Sequence, residues 1–139
     1  MKPPLFDDFL KSQDSLRVYE NDRLIFASDK DRLIPLMEYL GKFGTSHKGL
    51  TLMDRIMGNA AALLTVKAGG VEVFSPLGSK LAVQTLTRFG VKYTLSEIAP
   101  VIQMPDGGMC PMEKLSLGKE PDEFYQIIKT MLKEHPATA

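Results

Sequence analysis

The chain has 139 residues, of which 44% are hydrophobic and 24% charged, a composition typical of a folded domain with its own core. Seventeen basic residues balance seventeen acidic ones, which argues against a dedicated nucleic-acid or membrane-surface binder, because both need excess positive charge. One cysteine cannot form an internal disulfide, and no segment resembles a signal peptide or a membrane span. We therefore expect a single cytoplasmic domain over residues 1–139, with its core between about residues 15 and 132.

Hydrophobic periodicity divides the chain into short alternating elements, with glycine and proline marking their ends. In chain order, the predicted elements are a helix over 4–11, a hairpin of strands 16–20 and 24–27, a helix from Pro35 to Gly44, a strand over 49–53, a helix over 56–67, a strand over 71–75, a helix over 78–89, a strand over 91–95 and helices from Pro111 and Pro121, with fraying after residue 134. Strands that alternate with helices predict a parallel section of sheet, and the hairpin adds antiparallel pairing. The sequence therefore predicts an α/β fold with a mixed sheet.

The run Gly107-Gly108-Met109-Cys110-Pro111-Met112-Glu113 contains the single cysteine. Proline is favoured at the first helical position, which makes Cys110 the predicted N-cap and Glu113 the third helical residue. A thiol at an N-cap faces unpaired backbone N–H groups and the positive end of the helix dipole, which favour the thiolate. A structural alternative stays open, in which Glu113 reaches back to the N-cap N–H group as in a capping box.

Polar and small residues also follow the predicted strands. Asp54 ends one strand, Gly58 and Asn59 begin the next helix, and Ser79 begins the helix after that. Ligands bind beyond the carboxyl ends of strands in open α/β sheets, and N–H groups at helix N-termini can hold an anion. The structural alternatives are close packing of the small residues on the sheet and helix capping by Asp54. The residues expected to meet at this edge are Asp54, Asn59, Ser79, Cys110 and Glu113.

The runs Asp54-Arg55-Ile56-Met57-Gly58-Asn59-Ala60-Ala61-Ala62 and Cys110-Pro111-Met112-Glu113, with Ser79 opening a helix between them, resemble the motifs of an uncharacterised bacterial family. It is a domain-of-unknown-function family with a cytidine-deaminase-like fold. The resemblance implies a three-layer α/β/α sandwich with a mixed central sheet. The chain departs from the family pattern at Asn59, where lysine is usual, at Lys80, where glutamate is usual, and at Met104-Pro105, where a more polar pair is usual. These departures remove or invert charges near the expected site and argue against a shared catalytic activity.

The residues at these helix starts do not reproduce a zinc deaminase. Such an enzyme uses one His or Cys and two Cys as zinc ligands, with a nearby Glu as proton shuttle. The first motif would fall at Asn59, and the second at Cys110 and Glu113, while His47 and His135 are far in sequence from both. One thiol, one carboxylate and no imidazole make a poor tetrahedral site. We therefore expect no metal, no cofactor and no zinc-dependent deamination.

Three functions from different classes remain. The main expectation is a non-catalytic binder of a small anionic or nucleotide-like molecule, held by Asp54, Gly58, Asn59 and Ser79. The second is an enzyme or thiol sensor with catalytic Cys110 and Glu113, which the lack of a nearby histidine base weakens. The third is a homo-oligomeric interaction or scaffold protein, since eight methionines suit an adaptable surface. The sequence leaves the question of enzyme activity undecided, and neither nucleic acid nor membrane is an expected partner.

Overall fold

The computed structural model describes residues 3–105 and 108–134, so the expected fraying of residues 135–139 and the position of Gly107 lie outside the described residues. The elements are, in chain order, α1 (Pro3–Lys11), β1 (Leu16–Glu20), β2 (Arg23–Ser28), α2 (Ile34–Phe43), β3 (Leu50–Asp54), α3 (Asn59–Ala68), β4 (Gly70–Ser79), α4 (Lys80–Arg88), β5 (Lys92–Ala99), α5 (Pro111–Ser116) and α6 (Pro121–Glu134). No helix in these ranges is both long enough and apolar enough to cross a membrane.

The five strands form one mixed sheet in the order β2-β1-β3-β4-β5. β1 is antiparallel to both β2 and β3, whereas β3, β4 and β5 are parallel to one another. The hairpin turns at Asn21 and Asp22, whose φ angles of 52° and 66° are both left-handed, as a type I′ turn requires. The predicted α/β fold with a mixed sheet is confirmed.

Helices cover both faces of the sheet, which gives three layers. On one face, Leu50 and Leu52 of β3 pack into the main core with side chains from α2, α3, α4 and α6. On the other face, Met53 packs in a smaller cluster with Phe9 of α1. The alternation along β3 follows the two-residue period of a strand, so that all of its side chains are buried.

The start of α3 is three residues later than predicted, because the segment before it runs beside β4. The Met57 N–H group donates to the Leu77 carbonyl at 2.8 Å, and the Ser79 N–H group donates to the Met57 carbonyl at 3.1 Å. β4 continues to Ser79, where it also pairs with β5, whereas the sequence predicts that the strand ends at Ser75 and that a helix begins at Gly78. The hydrogen bonds with Met57 hold Ser79 beside the residues that lead into α3.

Candidate functional site

The carboxylate of Glu113 lies at the centre of a buried polar cluster, and the side chain is only 2% exposed. Its Oε1 atom accepts hydrogen bonds from the Asn59 backbone N–H group at 2.8 Å and from the Ser79 hydroxyl at 2.7 Å. Its Oε2 atom accepts from the backbone N–H group of Ile102. The described donors are two N–H groups and one hydroxyl, so a carboxylate is held here without a basic side chain among them.

These donors converge because two helices begin here. Asn59 is the first residue of α3, whose N-cap, Gly58, offers no capping side chain. The first N–H groups of a helix lack partners within the helix and carry the positive end of its dipole, so the Glu113 carboxylate stabilises this end. Ser79 is the N-cap of α4, and its Oγ atom accepts from the Ala82 N–H group at 3.1 Å. One carboxylate thus joins the starts of α3 and α4.

Gly58 lies close to both this carboxylate and the Ile102 side chain. A Cβ atom at Gly58 would lie 2.9 Å from Ile102 Cγ1 and 3.1 Å from Glu113 Oε1, closer than side chains normally pack. The sequence leaves open whether the small residues from Gly58 onwards serve close packing on the sheet or approach of a ligand to the backbone. In the structure, the group that approaches is the carboxylate of Glu113 in the same chain.

The side-chain amide of Asn59 extends the cluster to α4 and α5. Its Nδ2 atom donates to Ser116 Oγ at 2.9 Å and to the Ser116 carbonyl at 3.3 Å. Its Oδ1 atom accepts from the hydroxyl of Thr85. We call the side chains of Asn59, Ser79, Thr85, Glu113 and Ser116, together with the Ile102 N–H group, the Glu113 cluster.

Sequence reasoning missed Thr85, Ser116 and Ile102. Thr85 and Ser116 are single hydroxyl residues in helices, and Ile102 contributes only its backbone, so none of the three belongs to a recognisable motif. Thr85 and Ser116 could have been noticed as small polar side chains on the buried side of a helix. Nothing in the sequence marks Ile102. Three of the five residues expected to meet, Asn59, Ser79 and Glu113, are in the cluster.

Asp54 is close to the same edge of the sheet but outside the Glu113 cluster. It is the last residue of β3, and no hydrogen bond within the described ranges joins it to the cluster. Burial raises the pKa of the Asp54 carboxyl to about 7, while hydrogen bonds from the Ile56 and Arg55 N–H groups lower it in part. Asp54 does not cap α3, whose N-cap is Gly58.

Cys110 is the N-cap of α5, as the sequence predicts, but its thiol makes no capping hydrogen bond. The thiol is half-buried and free. The capping-box alternative is wrong, because the Cys110 N–H group donates to the Ile102 carbonyl at 2.8 Å while the Glu113 carboxylate turns towards α3. Ile102 contacts both residues, because its carbonyl accepts from the Cys110 N–H group and its own N–H group donates to the Glu113 carboxylate.

Comparison with known proteins identifies the family of this chain. A family described as a domain of unknown function, DUF1893, matches residues 6–132. The chain belongs to the DUF1893 family. It is similar to the crystal structure of a DUF1893 family protein, TM1506, from Thermotoga maritima, with 29% sequence identity over 94% of this chain and 91% of that one, and a TM-score of 0.81. No functionally curated protein matches the chain.

The described residues of this DUF1893 domain do not fit a zinc centre. Within residues 3–105 and 108–134, no group of three His, Cys, Asp or Glu side chains is placed to hold a metal ion. Hydrogen-bond donors point at both oxygens of Glu113, so its lone pairs face hydrogen atoms rather than a cation. Cys110 is the single thiol of the chain, and no imidazole of the described residues joins it in such a group.

Proposed function

We propose that this DUF1893 domain is a non-catalytic binding module that holds a carboxylate or phosphate group of a small molecule in the cradle that Glu113 fills. The cradle consists of the Asn59 and Ile102 N–H groups and the Ser79 hydroxyl. The observation that carries the proposal is that these three donors already hold a carboxylate, at a side chain that is 2% exposed. A ligand anion of similar shape would find the same donors once Glu113 moved aside.

The hydrogen bonds of the cluster support binding rather than catalysis. Both oxygens of Glu113, both polar atoms of the Asn59 side chain and the hydroxyl of Ser79 are engaged with other groups of the protein. A general acid, a general base or a nucleophile needs an atom free to meet the substrate. The cluster therefore contains anion-holding groups but no side chain prepared for a chemical step.

The thiol alternative lacks a base among the described residues. His47 is the one histidine in the described ranges, and its Nδ1 atom lies 3.0 Å from Glu20 Oε2. Glu20 ends β1 and pairs with Leu50 at the start of β3, at the opposite end of that strand from Asp54. Within the part of the chain that the structure describes, no imidazole lies near Cys110 to take up its proton, which favours the binding module over a Cys110-dependent enzyme.

The size of α5 supports an exchange of Glu113 for a ligand. α5 has six residues, and its Met112 and Leu115 side chains are only partly buried against the main core. Moving such a helix uncovers little apolar surface compared with moving α3, most of whose residues are buried. Release of α5 would open the cradle while the sheet and α3 stay in place.

We also propose that the fold is cytidine-deaminase-like, that the chain is bacterial and that it works in the cytoplasm. The mixed sheet in the order β2-β1-β3-β4-β5 and the polar groups at helix starts along one edge support the fold assignment. The single cysteine suits a reducing compartment. The deaminase metal chemistry is not part of the proposal. Elemental analysis of protein purified without chelator should find no bound zinc, and a value near one zinc per chain would contradict this.

A titration followed by amide resonances tests the binding proposal. Isotope-labelled protein is titrated with acetate, succinate, inorganic phosphate and adenosine monophosphate. The Asn59 and Ile102 amide signals should shift saturably with at least one anion. Glu113→Gln should bind that anion about tenfold more tightly, because an uncharged internal competitor is weaker. The control, Glu97→Gln on exposed β5, should bind like the wild type. Absence of saturable shifts at both amides, in the wild type and in Glu113→Gln, would refute the proposal.

A further inference from the structure

A single arginine donates to carbonyl groups at the C-terminal end of α1 and in the segment that joins α1 to β1. Arg55 directly follows β3, and its guanidinium donates to the carbonyls of Phe9 and Ser12, each at 2.8 Å. It also donates to the Asp14 carbonyl at 2.9 Å and to the Leu10 carbonyl at 3.2 Å. The last carbonyls of a helix lack partners within the helix and carry the negative end of its dipole, so a cation that donates to them stabilises the docked helix.

α1 covers a small apolar cluster that is separate from the main core. The buried members from the sheet are Tyr19, Met53 and Phe74, each at most 6% exposed. All of the described helical side chains in this cluster come from α1, namely Leu5, Phe6 and Phe9. The helices α2 to α6 contribute to the main core on the opposite face. Removal of α1 would therefore uncover one apolar strip and leave the main core covered.

We infer that α1 is a hinged cap that opens as a unit while the rest of the domain stays folded, and that Arg55 is its latch. A helix of nine residues is not stable alone in water, so α1 is ordered by its docking. Residues 12–15 join it to β1, which keeps an opened α1 tethered. The opened state exposes Tyr19, Met53 and Phe74, so the cap controls access to an apolar surface. This device does not depend on the anion cradle.

The position of Arg55 connects the docking of α1 to the segment between β3 and α3. Arg55 lies between Asp54, the last residue of β3, and the segment that leads to Gly58 and α3. Its guanidinium also stacks over the Phe9 ring, with 4.5 Å between Cζ and the ring centroid. One side chain therefore satisfies the end of α1 and packs on the residue that α1 inserts most deeply. A change in the Asp54–Gly58 segment would alter the docking of α1.

Hydrogen exchange of the full chain tests the cap. In the wild type, α1 amides should exchange faster than those of β3 and α3, because they open without global unfolding. Arg55→Lys keeps the charge but cannot reach four carbonyls, so it should speed α1 exchange about tenfold or more and leave β3 and α3 unchanged. Arg88→Ala, which removes an exposed partner of Glu120, is the matched control and should leave α1 exchange unchanged.

A second measurement reports on the uncovered strip itself. In a Cys110→Ser background, a cysteine substituted at position 53 (Met53→Cys) should react with a thiol reagent in proportion to the population of the opened state, and Arg55→Lys should raise the reaction rate by the same factor as the exchange. Equal exchange rates for α1, β3 and α3 in the wild type, or an equal acceleration of all three by Arg55→Lys, would show that α1 opens only with the whole domain and would overturn the inference.

Discussion

The Glu113 carboxylate accepts a hydrogen bond from the Asn59 backbone N–H group at 2.8 Å, although 54 positions separate the two residues in the chain. The N-terminus of α3 is thereby capped by a side chain from α5. This capping by a residue of another helix accounts for the glycine at position 58, because the carboxylate occupies part of the space that a larger side chain would need. The Glu113 carboxylate therefore caps α3 and also shows how the same donors would hold the carboxylate of a bound molecule.

Loss of the Glu113 carboxylate should destabilise the domain strongly. Glu113→Ala leaves the Asn59 and Ile102 N–H groups and the Ser79 hydroxyl without their partner, so we expect the free energy of unfolding to fall by about 2–4 kcal/mol. Glu113→Gln keeps the shape of the side chain and one acceptor oxygen, so its free energy of unfolding should fall by less. Urea unfolding measures both, with Glu97→Gln as a control within about 0.5 kcal/mol of the wild type. A Glu113→Ala loss as small as that of the control would contradict the buried network.

A methyl group at Gly58 should be destabilising because there is no room for it. Gly58→Ala would bring a Cβ atom to 2.9 Å from Ile102 Cγ1, and the repacking should cost about 1–3 kcal/mol. Gly41 is the matched control, since it lies within α2 with nothing near its would-be Cβ atom. Gly41→Ala should raise stability by about 0.5–1 kcal/mol, because alanine is the better helix former. Thermal unfolding of the two variants should therefore shift in opposite directions.

Asp54 should make the stability of the domain fall as the pH rises. Its pKa is raised from 3.8 to about 7, so between these values the folded state holds a proton that the unfolded state has lost. Stability is then highest at low pH and declines towards neutrality, by about 2–3 kcal/mol between pH 5 and pH 8. Asp54→Asn cannot titrate, so the difference between wild type and variant isolates this group in urea unfolding at the two pH values. A difference that is independent of pH would contradict the assignment.

The elements of the fold were largely predictable, because they depend on local patterns. The hairpin followed from alternation around Asn21 and Asp22, and the N-cap position of Cys110 followed from the proline after it. The length of β4 did not follow from a local pattern, since Pro76 and Gly78 are residues typical of a loop. Its continuation depends on pairing with β5 and on hydrogen bonds with Met57, which are contacts between separate parts of the chain.

The candidate site was predictable only as a set of helix starts. Topology predicts that Asn59, Ser79 and Glu113 share one edge of the sheet, and the structure brings these three together. No local pattern distinguishes a Glu113 that caps its own helix from one that caps α3. The role of Arg55 was likewise hidden, because its four acceptors are backbone carbonyls, which every sequence has.

Replacement of Cys110 separates the binding module from the thiol-dependent alternatives. Serine is a better N-cap than cysteine, so Cys110→Ser should keep the stability of the wild type or exceed it by about 0.5–1 kcal/mol. Anion binding measured by amide shifts should be unchanged, because the thiol makes no hydrogen bond to the Glu113 cluster among the described residues. Loss of binding in Cys110→Ser, with the fold intact by circular dichroism, would favour a thiol-dependent function.

Chemical rescue of Glu113→Ala shows whether the cradle of Asn59, Ser79 and Ile102 binds a free carboxylate. The unfolding temperature of the variant is measured against formate and acetate concentration, with sodium chloride at matched ionic strength as the control. Because the removed carboxylate leaves three donors, we predict that formate or acetate raises the unfolding temperature of Glu113→Ala saturably and leaves Glu97→Gln unchanged. An identical response of Glu113→Ala to chloride and to both carboxylates would show that the cradle is not a carboxylate-binding site.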